Sequence, residues 1–72
     1  MSRAQDLAAL CTELVRKGND FPTVWMTALK AHTLVDGIPQ SVHEGKRALL
    51  EIRLITGERL VFDGERKIFT VG

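Results

Sequence analysis

An α+β domain, helical in its first half and a β-meander in its second, is what the hydrophobic periodicity of this chain predicts. Between residues 2 and 18 apolar side chains recur at helical spacing between a capping signal and a glycine. From residue 48 onward they alternate with a period of two and are broken by Thr56-Gly57 and Asp63-Gly64. At 72 residues the chain has room for one hydrophobic core, so residues 1–72 read as a single domain.

Ser2 followed by Gln5 has the spacing of a capping box, which predicts a helix over about residues 3–17. Leu7, Leu10, Cys11 and Leu14 fall at offsets 0, 3, 4 and 7 and are expected to form its buried stripe, with Asp6, Glu13, Arg16 and Lys17 in water. Asp6 near the start and Arg16 and Lys17 near the end suit the helix dipole, and Gly18 supplies the stop. Asn19 and Asp20 offer a second cap before Phe21-Pro22, and proline is tolerated in a first turn. A shorter helix over about residues 22–32 follows, with a strand through Val24–Thr27 as the rival reading because β-branched residues occur there.

Between Thr33 and Arg47 no period persists, although Leu34, Val35 and Ile38 call for burial. Residues 38–42 fit a fourth, edge strand, where Pro39 needs no partner for a missing N–H. Strands are then expected over about 48–55, 58–63 and 67–71. A two-residue Thr56-Gly57 turn would set Leu54 opposite Arg59. A three-residue loop or bulge with Gly57 at positive φ sets Ile52 opposite Leu60 and Leu50 opposite Phe62, and is preferred because it keeps the apolar sets on one face. An Asp63–Arg66 loop then brings Phe69 opposite Leu60. The core face therefore reads Leu50, Ile52, Leu54, Leu60, Phe62, Phe69 and Val71, with both helices covering it.

The same parity turns Leu49, Ile55, Val61 and Ile68 to the other face, among Glu51, Arg53, Arg59 and Thr70. If contiguous, they form an association surface, because soluble monomers seldom leave a large apolar patch uncovered; scattered, they are ordinary surface residues. Leu49, Ile55, Val61, Ile68, Arg53 and Arg59 are the candidate interaction residues.

Charge excludes more than it suggests. Ten basic and nine acidic residues leave a net charge of +1, shared evenly along the chain, so no global field draws it to nucleic acid or an anionic membrane. Lys46, Arg47, Arg53, Arg59 and Lys67 are interrupted by Glu44, Glu51, Glu58 and Glu65, and exposed aromatic platforms are missing. Nucleic-acid binding through the basic residues of the sheet stands second. The single cysteine fits a reducing compartment, and the apolar runs fall far short of the roughly 20 residues that span a bilayer. A cytoplasmic protein without a membrane partner is expected.

Chemistry-bearing motifs are sparse. Cys11 lies on the apolar stripe and reads as a buried thiol, and His32 as a residue packed at a helix end. His43 beside Glu44 suggests acid–base work only if a pocket brings them together, since neighbours on a strand point apart. A metal site from Cys11, His32, Asp36 and His43 would need dispersed groups to converge, and no phosphate loop, dinucleotide fingerprint or serine elbow occurs. No cofactor, small-molecule ligand or catalytic activity is expected.

Phe21-Pro22-Thr23-Val24-Trp25 and Thr56-Gly57-Glu58-Arg59-Leu60-Val61-Phe62-Asp63-Gly64 resemble small uncharacterised proteins encoded in bacteriophage and prophage gene blocks. That resemblance implies an accessory or assembly role in which small modules bind other proteins. The expectation is a small protein-interaction or structural module that self-associates, as a homodimer, or takes a protein partner through the outer sheet face or an exposed edge strand.

Overall fold

Helix α1 runs from Arg3 to Arg16 in the computed structural model, which describes residues 2–72. Ser2 holds an extended backbone and its hydroxyl accepts the Gln5 N–H at 3.4 Å, so an otherwise orphaned donor is satisfied. The helix ends where Gly18 turns the chain, with the Gly18 N–H donating to the Val15 carbonyl. The Asn19 backbone and side-chain N–H groups both reach the Leu14 carbonyl, at 3.2 and 2.9 Å.

The buried face of α1 is Ala4, Leu7, Ala8, Cys11 and Val15; Leu14 is half-buried and Leu10 is 52% exposed. The expected leucine stripe is thus rotated. The apolar arc of α1 is wider than one line of side chains, and the sheet takes the edge rich in small residues, where the helix can come close to β4.

Asp20 starts the second helical segment by accepting the Thr23 N–H at 3.0 Å, and hydrogen bonding from the Thr23 side chain, with that backbone bond, holds its carboxyl below the usual carboxylate range. The segment is α-helical over Phe21–Val24 (α2) and widens to a π-helical turn over Trp25–Leu29. The Thr27 hydroxyl donates to the Thr23 carbonyl at 2.7 Å, while the Lys30 N–H skips back five residues to the Trp25 carbonyl at 2.8 Å. A hydroxyl competing for a helical carbonyl is a local cause for such a widened turn. The helix expected over 22–32 is therefore Phe21–Leu29, and Val24–Thr27 is helical rather than a strand.

Leu34 is buried at 1% exposure and Val35 bridges to Leu54, but Ile38 is 72% exposed, contrary to the expectation that it needs burial. Backbone bonds from Asp36 to Arg53 and from Ile55 to Leu34, both 2.8 Å, tie this segment to the end of β2 before the bend at Gly37 carries Ile38 outward.

Four strands then form an antiparallel meander in the order β1-β2-β3-β4: Gln40–Glu44, Arg47–Arg53, Arg59–Asp63 and Ile68–Val71. The edge strand expected at 38–42 forms two residues later, after Pro39, and is a full member of the sheet. Gly45, at φ +64°, takes the first central position of the two-residue turn that joins it to β2, a backbone region that non-glycine residues rarely enter. Between β2 and β3, Gly57 at φ +90° closes a loop of Ile55, Thr56 and Gly57, and Leu50 faces Phe62 while Ile52 faces Leu60, as the preferred register requires.

The last hairpin differs from expectation by two residues: Phe69 lies opposite Phe62, and Val71 opposite Leu60. Asp63 stays in the strand opposite Ile68, and its carboxylate turns back to accept the Glu65 and Arg66 N–H groups at 3.0 and 3.2 Å. The loop is therefore residues 64–67. A two-residue slip preserves parity, so the inward set is unchanged.

Ile52 and Leu60 are fully buried on the inner face, with Leu54, Phe62 and Phe69 nearly so and Leu50 and Val71 packed at its margin. Phe21, Phe62 and Phe69 form an aromatic cluster with ring centroids 4.6–6.1 Å apart, joining α2 to the sheet. The fold is thus α+β, a helix and a second helical segment on one face of four antiparallel strands.

Candidate functional site

The helices cover one face of the sheet, and the register dictates what the other presents. Across the strands, outward-pointing residues align in rows: Val42, Leu49, Asp63 and Ile68 in one, Gln40, Glu51, Val61 and Thr70 in the next, and then the opposed pair Arg53 and Arg59. Leu49, Val61 and Ile68 thereby share this face, with Asp63 between Leu49 and Ile68, and Val42, which alternation alone did not single out, joins them beside Leu49. Ile55 lies in the β2–β3 loop, 62% exposed and separated from Val61 by the arginine row.

Leu49 stands apart in its burial. Among the described residues fourteen apolar side chains are buried and thirteen belong to the main core cluster; Leu49, at 7% exposure, is the one that does not. Its cross-strand neighbours on the outer face are Val42 and Asp63, the latter paired with Arg47. Asp63 is buried, and its carboxylate accepts from the Arg47 guanidinium as well as from two backbone N–H groups. A carboxylate with three donors is satisfied where a bare one would be costly. Sequence reading treated Asp63 only as a turn residue; its odd position among outward apolar neighbours was the available signal.

The charged row is largely self-neutralised. Arg59 lies 3.5 Å from Glu51, and Arg47 is committed to Asp63, leaving Arg53 as an exposed cation of this face without an ion-pair partner among the described residues. A shallow open depression of about 420 Å³ lies over Val42, Leu49, Glu51 and Val61 and also touches His43 and Glu44. His43 and Glu44 are both exposed neighbours on β1, and strand alternation sends their side chains to opposite faces. The structure does not bring them together.

Cys11 has no exposed surface, and burial pushes its thiol up to about 11, so it is a neutral thiol at physiological pH. His32 is half-buried, and its Nδ1 accepts the Leu34 N–H at 3.2 Å, which fixes the turn after the π-helical segment. Among the described residues no three His, Cys, Asp or Glu side chains converge on a metal-sized site, and no helix is long and apolar enough to cross a membrane.

The two edges of the sheet differ. At β4 the Thr12 hydroxyl of α1 accepts the Phe69 N–H at 2.9 Å and lies 3.5 Å from its carbonyl, so the outward backbone groups of Phe69 are occupied. At β1, four of five residues are exposed and only Val42 is half-buried. Thr12 is a second residue that sequence reading missed, since a threonine within an amphipathic helix carries no distinctive spacing.

Away from the helices this small α+β domain thus presents a row of half-buried Val42, buried Leu49 and Asp63 and half-buried Ile68, with an open strand edge beside Val42. Comparison of the chain with protein-family models, curated proteins and solved structures finds no match.

Proposed function

We propose that this chain is a protein-interaction module that associates through the outer face of its sheet. The observation that carries this reading is the apolar group on the face opposite both helical segments: Val42 beside Leu49, Ile68 across Asp63 in the same row, and Val61 in the next row, with Leu49 buried outside the core cluster. Val42, Val61 and Ile68 are half-buried, and the apolar surface they still expose gains free energy when a partner removes it from water. Arg53 and Glu51 at its rim give the polar border that a protein interface carries. An accessory or assembly role of phage origin is consistent with such a module and rests on the sequence resemblance alone. Nucleic acid is the weaker partner, because Arg47 and Arg59 already face carboxylates.

The test is Val61→Glu, which places a charge at the centre of this face without touching the inner core. Association, whether with a second copy in sedimentation or with a protein co-purified from the native host, is expected to be lost while the far-UV spectrum is kept. An unchanged partner set would overturn the reading. Salt-sensitive binding of labelled DNA or RNA at low ionic strength would move the assignment to the basic residues.

A further inference from the structure

We infer that the open β1 edge pairs with the β1 edge of a second copy, antiparallel about a two-fold axis at Val42, which joins two four-stranded sheets into one. This goes beyond the preceding reading, because the contact is made by the strand edge and not by the outer face, and it names the partner and the register.

The backbone fixes which groups face the edge. Antiparallel pairs alternate between those that exchange two hydrogen bonds and those that exchange none. The Leu54 N–H donates to the Glu58 carbonyl at 3.0 Å, so in steps of two the bonded pairs of β2 and β3 are Ile52 with Leu60 and Leu50 with Phe62. The odd residues of β2 therefore bond towards β1, consistent with the Arg53 carbonyl accepting the Asp36 N–H on that side. Gln40, Val42 and Glu44 consequently spend their N–H and carbonyl groups on Glu51, Leu49 and Arg47. Those of Ser41 and His43 point away from the sheet, and among the described residues no side chain caps them as Thr12 caps Phe69.

The strand is complementary to itself in one register. With Val42 opposite Val42 of the second copy, Ser41 faces His43 and His43 faces Ser41, and both are bonded pairs, so all four outward groups of each copy are satisfied. Gln40 then lies opposite Glu44, an amide donor beside a carboxylate, and no like charges are opposed. Moving the axis to Ser41 would set His43 against Pro39, which has no N–H to give. Moving it to His43 would oppose two histidines and place Glu44 against Val42. The chosen register also brings the apolar rows into line on one face, Leu49 and Val42 of one copy continuing into Val42 and Leu49 of the other. Within Gln40–Glu44 there is no lysine, proline or bulge to block a second strand; Pro39 precedes the strand and Glu44 ends it.

His43→Pro is the discriminating variant, because it deletes an outward N–H and leaves the bonds from β1 to β2 intact. Sedimentation of the full chain from about 1 μM to about 1 mM is expected to show a monomer–dimer equilibrium, weakened about tenfold or more in His43→Pro. Amide hydrogen exchange supplies a second readout on the unaltered chain: Ser41 and His43 should gain protection as concentration rises, while Phe69 should not change. A monomer throughout, or a dimer with no added protection at Ser41 and His43, overturns the edge pairing. A dimer that survives His43→Pro but is lost in Val61→Glu overturns it too while upholding the outer face as the association surface.

Discussion

At β4 the outward backbone groups of Phe69 meet the Thr12 hydroxyl of α1, whereas at β1 the corresponding groups of Ser41 and His43 face away from the rest of the protein. The difference extends to the faces. The β3–β4 half lies under α1 and the aromatic cluster, and Phe62 and Phe69 are buried there; β1 is overhung by neither helical segment, and its inward residues Ser41 and His43 stay exposed. One edge of the sheet is thus capped at Phe69, and the other carries no such cap. The lesson is that hydrogen bonding and apolar burial are completed together: the helix that covers the inner face also supplies the hydroxyl that closes the edge.

The strongest way to break this comparison is to truncate one residue from each half. Ile52 is fully buried, and Ile52→Ala is expected to cost about 2–5 kcal/mol, the range for deleting a large core side chain. Val42→Ala, on the half-buried edge, should cost under about 1 kcal/mol in dilute solution. Urea unfolding of both variants at low concentration measures the contrast; equal losses would show that the outer face is a second core of the isolated chain.

Cys11 sharpens the comparison through pH, because it lies sealed under the closed half. Its folded thiol is raised to about 11 from 9.0 by burial, so folding favours the protonated form. That contribution is complete below pH 9 and is lost as pH rises towards about 11, on the order of 2–3 kcal/mol. Cys11→Ala should be less stable at neutral pH and should lose less stability than the natural chain over that window. Parallel curves for the two proteins would refute the assignment.

The smallest effect concerns the closure itself. Thr12→Val keeps the shape and removes the hydroxyl, at an expected cost of about 1 kcal/mol for the lost bond to Phe69. Exchange of the Phe69 amide should quicken, and Thr12→Ser should restore its protection. Unchanged exchange in Thr12→Val would mean that the two edges are alike.

How much of this was legible varies by element, for physical reasons. The capping serine, the Gly57 loop and the register of Ile52 with Leu60 follow from local rules, since a capping distance, a positive φ and a period of two are properties of neighbouring residues. Leu10 was misplaced because a helix carries several apolar lines, and only the neighbouring β4 decides which is buried. The π-helical turn accompanies a bond from the Thr27 hydroxyl to the Thr23 carbonyl, a choice over water that no spacing in the sequence announces. The final register slipped because Asp63 remained in the strand and folded its carboxylate back over the turn. Of the candidate surface, parity placed Leu49, Val61 and Ile68 on one face, but it left Val42 outside the group and Ile55 within it.

By itself the sequence determined the class of the fold, the order of its elements and which side chains of β2, β3 and β4 point inward, because these depend on periods of 3.6 and two that each segment carries alone. Only the tertiary structure decided which arc of α1 meets the sheet, that Leu49 is buried beyond the core, and that one edge is capped at Phe69 by Thr12 while the other is open. Those outcomes depend on groups far apart in the chain, such as Thr12 and Phe69, whose meeting no local spacing encodes.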